Sequence, residues 1–135
     1  MRDFDFSEYS TYGIEINGSE MDNGELRFRM SSPDSSYIRT ETTKDGGWQN
    51  SHYHSEQREV FYIEKGSVLF ATMENAEVKI KSYTAGDFFC IEPMIAHNMR
   101  MNPDTITHTI KCGGAPDWNA APELDCYLRM EECDD

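Results

Sequence analysis

Apolar residues in this chain come in short runs, and turn formers separate one run from the next. TYGIEI (11–16), ELRFRM (25–30) and SYIRTETT (36–43) are rich in aromatic and β-branched residues, divided by Asn17-Gly18, Asp22-Asn23-Gly24 and Ser31-Ser32-Pro33-Asp34. EVFYI (59–63), SVLFATM (67–73), EVKIKSY (77–83), DFFCI (87–91) and TITHTIK (105–111) continue the series. Helical periodicity is scarce. Short strands with regular turn signals predict an all-β sandwich or barrel.

A strand with one wet face alternates apolar and polar residues. Val60-Phe61-Tyr62-Ile63 and Phe88-Phe89-Cys90-Ile91 do not alternate. Both are expected to be covered on two sides, by the interior and by a second sheet or subunit, and a homodimer follows. After the last strand, CGGAPDWNAAP reads as a loop. Pro122 then opens a short helix with Leu124, Tyr127 and Leu128 on one face, a cap packed on the barrel. Cys133 and the acidic end EECDD are expected to fray.

Charge narrows the partners. The chain has 135 residues and a net charge of −13, from 12 basic and 25 acidic residues. No run of Lys and Arg is present to neutralise phosphates, so nucleic acid and an anionic membrane surface are both poor partners. The start, MRDFDFSEYSTYG, has no basic region followed by an apolar stretch, and no apolar run is long enough to span a bilayer. Cys90, Cys112, Cys126 and Cys133 form no C-x-x-C pair. Reduced thiols in a cytoplasmic protein are the expectation.

Histidines carry the candidate chemistry. His52 and His54 are two apart, so on a strand they project from one face, about 7 Å apart. Glu59 stands five beyond His54, which on an unbroken strand is the opposite face; the polar SEQR (55–58) reads as a turn or bulge that resets the register. His97 follows the break at Pro93. Three imidazoles and a carboxylate suit a first-row divalent ion: Fe, Mn, Ni or Zn. A pair of histidines two apart, taken alone, is more often a half-buried strand feature. The fourth, His108, shares its face with Ile106 and Ile110 and would reach the same cavity if that face looks inward.

The spacing of the whole set resembles the cupins. Their first motif, G-x5-H-x-H-x3-4-E-x6-G, is matched by Gly46, His52, His54, Glu59 and Gly66. In the second, G-x5-P-x-G-x2-H-x3-N, Gly86 and His97 stand at the right separation. Glu92 replaces the first proline, Met94 the glycine and Met101 the asparagine. The resemblance implies a single antiparallel β-barrel of the cupin, jelly-roll type with a short C-terminal helix. It also implies His52, His54, Glu59 and His97 as metal ligands. Residues 1–35 would supply N-terminal strands completing the barrel, 36–111 the core with both motifs, and 112–135 the loop, helix and acidic tail, all one domain.

Parity from the ligands gives an expected substrate pocket. Stepping by two reaches Trp48 and Asn50, Phe61 and Ile63, Ile95, Met99 and Met101. Phe61, Ile63 and the methionines serve equally well as core filler. His108 is either a core histidine satisfied by a hydrogen bond or a catalytic acid or base at a metal-bound substrate. Tyr53 and Tyr62 point away, Arg39 and Glu41 read as an ion pair, and Trp118 is placed to cover an opening.

Such a site serves a metal-dependent enzyme acting on a small organic molecule, and the mostly apolar lining favours an oxygenase-type reaction. The alternatives are an isomerase, epimerase or lyase acting on a sugar-like or carboxylate substrate, or a small-ligand-binding protein without catalysis. A purely structural metal is disfavoured, because four ligands leave about two positions open on an octahedral ion.

Overall fold

A computed structural model describes residues 13–132. The start of the first expected strand, Cys133 and the last acidic residues lie outside them.

The strands are β1 (Glu15–Glu20), β2 (Leu26–Ser32), β3 (Ser35–Thr42), β4 (His52–Tyr53), β5 (Arg58–Lys65), β6 (Ser67–Glu74), β7 (Glu77–Thr84), β8 (Phe88–Ile91), β9 (Ala96–Met101), β10 (Thr105–Cys112) and β11 (Asn119–Ala120). One helix, α1 (Pro122–Glu132), follows. All ladders are antiparallel. The first sheet runs β1-β2-β3-β10-β5-β8 and the second β11-β4-β9-β6-β7.

The closed barrel of the jelly-roll type is not what forms. Both sheets stay open, with β1 and β8 at the edges of one and β11 and β7 at the edges of the other. Closure needs an unbroken ladder around the circumference. The second sheet reaches its edge through β4 and β11, two residues each, and β8 is four residues long, stopping short of Pro93. Strands so short leave too few backbone groups to bridge the sheets.

Two expected turns also differ. Asn17 and Gly18 lie inside β1, paired with Arg29 and Phe28, and the chain reverses only at Met21–Gly24. At the second motif the backbone keeps the turn although the glycine is gone: Met94 takes φ of 70°. Its N–H donates to the His54 carbonyl at 2.7 Å, which ties the two motifs together. Gly66 shows why the first motif ends in glycine. Its φ is 80°, and a Cβ there would collide with the Thr105 hydroxyl and the Asp104 carbonyl.

The core lies between the sheets. Phe61, Ile63 and Ile91 from the first meet Val68, Phe70, Met99 and Met101 from the second. A smaller cluster sits under α1, where Leu124 and Leu128 pack on Ala71 and Ala121. Pro122 opens that helix, Glu123 and Asp125 sit in its first turn, and the Asp125 carboxylate accepts the Ser51 N–H at 2.9 Å. Tyr127, expected on the packed face, stands exposed. No helix among the described residues is long and apolar enough to cross a membrane.

Candidate metal centre

His52 opens β4 and pairs directly with His97 of β9. His54 follows after the strand has ended, and β5 brings Glu59 in from the opposite sheet. The SEQR break works as expected: it carries the chain from one sheet to the other, so strand parity no longer separates Glu59 from the histidines. One ligand atom from each of His52, His54, Glu59 and His97 lies within 4.8 Å of every other.

Each ring is oriented by a carbonyl behind it. The Nδ1 atoms of His52, His54 and His97 sit 2.9, 2.6 and 3.0 Å from the carbonyls of Asn50, Asp117 and Ile95. A carbonyl only accepts, so each Nδ1 carries a proton, and in the neutral ring that binds a metal each Nε2 keeps a lone pair. The His54 and His97 Nε2 atoms stand 2.5 and 3.0 Å from Glu59 Oε1. There an acceptor faces two acceptors. All three atoms are buried and make no hydrogen bond. A cation between them is what this donor set fits, and the residues are capable of coordinating a divalent metal ion.

For His52 the surroundings favour the neutral ring. Burial, followed by the nearby His97, pushes the His52 imidazole down to about 4, so it is neutral at pH 7. Asp117, which lends its carbonyl to His54, is fixed through its side chain. Hydrogen bonds from Ser55 and then Asn119 pull its carboxyl down to about 2, and the Ser55 N–H donates to it at 2.9 Å.

A cavity of about 70 Å3 adjoins the cluster, bounded by Phe61, Phe70, Met99, Thr40, Thr109 and Lys111. Arg27, Gln49 and His52 form its neck and also line an outer hollow of about 400 Å3 with Trp48, Asn50 and Trp118. Trp118 stacks on His52 with centroids 5.4 Å apart. Of the expected pocket residues, Phe61 and Met99 line the inner cavity and Trp48 and Asn50 the mouth, whereas Ile63 and Met101 are packed in the core.

His108 is elsewhere. On β10 the buried residues are Thr105, Thr107 and Thr109, so His108 faces out. There its Nδ1 meets the Tyr37 hydroxyl at 2.6 Å and its Nε2 meets Glu64 at 2.7 Å.

Counting from the ligands missed Arg27, Gln49, Thr40, Thr109 and Lys111, because most of them stand on strands remote in sequence. It also missed Glu25, 1% exposed, which holds the neck. Its carboxylate accepts from Arg27 Nη2 at 2.9 Å, Gln49 Nε2 at 3.1 Å and Asn23 Nδ2 at 2.9 Å. The alternation Arg27-Phe28-Arg29 is the available signal.

Comparison with known proteins agrees with this geometry. The family profile described as Cupin domain matches residues 39–110. No curated protein matches. Among solved structures the chain is similar to KdgF from Halomonas sp., at 16% identity and a TM-score of 0.60, covering 75% of this chain and 89% of that one. It is similar to an uncharacterized conserved protein with a double-stranded beta-helix domain from Klebsiella pneumoniae, at 17% identity and a TM-score of 0.63, over 90% and 97% of the two chains. A variant of oxalate decarboxylase from Bacillus subtilis matches at 15% identity and a TM-score of 0.63 over 82% of this chain, which spans 29% of that protein. Likeness at these identities is one of fold.

Proposed function

This chain belongs to the cupin domain family, and on that footing we propose that it is a metal-dependent lyase or isomerase acting on a small carboxylate or sugar-like substrate. The observation that carries the reading is the convergence of the His52, His54, Glu59 and His97 ligand atoms beside a cavity with a polar neck. A divalent ion held there supplies Lewis-acid polarisation of a substrate oxygen. The chain does the rest. Trp48 and Trp118 flank the entrance, Phe61, Phe70 and Met99 keep the inner wall apolar, and the Thr40 and Thr109 hydroxyls and Gln49 amide offer hydrogen bonds to substrate oxygens.

The oxygenase-type, dioxygenase-like expectation is corrected. It rested on a lining with few partners for oxygen-rich substrates, and the cavity has several: Arg27, Gln49, Thr40, Thr109 and Lys111. One solved neighbour named for a reaction is a decarboxylase. Turnover of small hydroxy or keto acids by metal-loaded protein, followed under argon, is the test. Conversion that proceeds without dioxygen supports the reading; conversion only with stoichiometric dioxygen uptake refutes it.

We also infer a homodimer built on the outer face of the first sheet. Tyr62 and Phe88 pair across β5 and β8 and are 44% and 71% exposed, next to the exposed Ile110. A second copy would cover them. The unpaired, exposed thiols of Cys90, Cys112 and Cys126 suit a reducing, cytoplasmic setting.

A further inference from the structure

The inner face of the first sheet gathers positive charge beside the metal cluster. Arg27 and Arg29 are two apart on β2, and Lys111 lies two beyond Thr109 on β10, so all three share the face of Thr40 and Thr109. In register, Arg29 is opposite Ile38 and Ile38 opposite Thr109, while Lys111 is opposite Glu59 itself. Two of the chain's 12 basic residues, Arg27 and Lys111, therefore line one cavity of a protein with net charge −13, and Arg29 stands beside them on the same face.

Their partners are too few. Arg27 gives one nitrogen to Glu25, and its Nε is buried with no partner, as is that of Arg29. Among the described residues the Lys111 ammonium makes no hydrogen bond or ion pair, and Glu59 is the only acid lining the inner cavity. Glu59 already faces His54 and His97. Partly buried cations with so little counter-charge, Glu25 for Arg27 and a shared Glu59 for Lys111, are costly, and their place beside a cavity suits an anion that arrives from outside.

We propose that Arg27 and Lys111, backed by Arg29, form an anion subsite that takes a carboxylate of the substrate while an oxygen at its other end reaches the metal cluster. The substrate is then a short acid with two oxygen-bearing ends, and a neutral sugar is excluded as the preferred ligand. This inference rests on the metal-dependent reading above for the second end, and on the three basic residues alone for the first. The guanidinium of Arg27, with one edge fixed by Glu25, presents its remaining N–H groups at the neck, a geometry suited to carboxylate oxygens.

Calorimetric titration of zinc-loaded protein with oxalate, malonate, succinate and glutarate, each beside the monocarboxylate of the same length, tests it. Wild type is expected to prefer at least one diacid by about tenfold or more, the scale of a charge-assisted contact. Lys111→Met and Arg27→Met lose that preference with zinc stoichiometry unchanged, and Lys111→Arg keeps part of it. No diacid preference in wild type, or a preference intact in both methionine variants, overturns the subsite. Should a methionine variant fail to fold, the wild-type preference and its retention in Lys111→Arg decide. Failure to hold zinc would strike at the metal reading instead; diacid binding by metal-free wild type, lost in Lys111→Met, would still support the subsite.

Discussion

The inner face of β2, β3 and β10 presents Arg27, Arg29, Ile38, Thr40, Thr107, Thr109 and Lys111, and the outer face of the same sheet presents Leu26, Phe28, Met30, Tyr62, Phe88 and Ile110. In an ordinary two-sheet domain the apolar set faces inward. Here the apolar interior is confined to the β5, β6, β8 and β9 end, where Phe61 and Phe70 stand 5.1 Å apart and Phe89 stacks on both Phe61 and Tyr83. Half of the sheet stabilises the fold and half lines a cavity. The polar inner wall is where the proposed ligand would bind, and the apolar outer wall is where the proposed second copy would dock.

The largest effect that would break this comparison is expected on the inner wall. Glu59→Gln keeps the shape of the side chain and removes the only carboxylate of the cluster. Metal affinity should fall by more than about a hundredfold, beyond what is lost with a residue that only orients a ligand. Competition with a chromogenic chelator reads this, and unchanged affinity would remove Glu59 from the ligand set.

On the outer wall, Phe88→Ser should weaken self-association by about tenfold or more, since full burial of such a side chain contributes roughly 1.5–3 kcal/mol. Sedimentation equilibrium distinguishes this from a wild type that is monomeric throughout, which would sink the dimer.

A pH effect sharpens the contrast between histidines. The folded-state value of His52 is about 4 against an ordinary 6.5. Between those values the unfolded chain binds more protons than the folded one, so metal-free protein should lose stability as pH falls from 6.5 towards 4, and lose no more from this group below it. His52→Gln should flatten the melting-temperature profile across that window. An identical slope in the variant would assign the effect to other groups.

His108→Ala should do least. Its ring is held by Tyr37 and Glu64 on the partly exposed outer face, and the change should cost less than about 1 kcal/mol. Metal content should not move; if it does, the separation of the two faces is wrong.

The sequence makes the ligand set legible because its spacing survives folding. His52 and His54 are fixed by strand parity, and Gly66 by a φ that other residues resist. The second motif was harder to read, since Met94 adopts the left-handed backbone that glycine would take there. Parity misled on β10, where Ile106 and Ile110 look like inner residues and Thr107 and Thr109 occupy that face. Nothing in local spacing connects Arg27 to Lys111, which meet only through the β2-β3-β10 register. Nor does it announce that β4 and β11 are too short to close a barrel.

The most direct test of the central claim is the metal content of untagged protein after reconstitution, beside His54→Ala, by inductively coupled plasma mass spectrometry. About one equivalent of Fe, Mn, Ni or Zn in wild type, lost in the variant, is the predicted result. Wild type that takes up none of them, or a variant that keeps the same amount, would contradict the assignment of His52, His54, Glu59 and His97 as a metal centre.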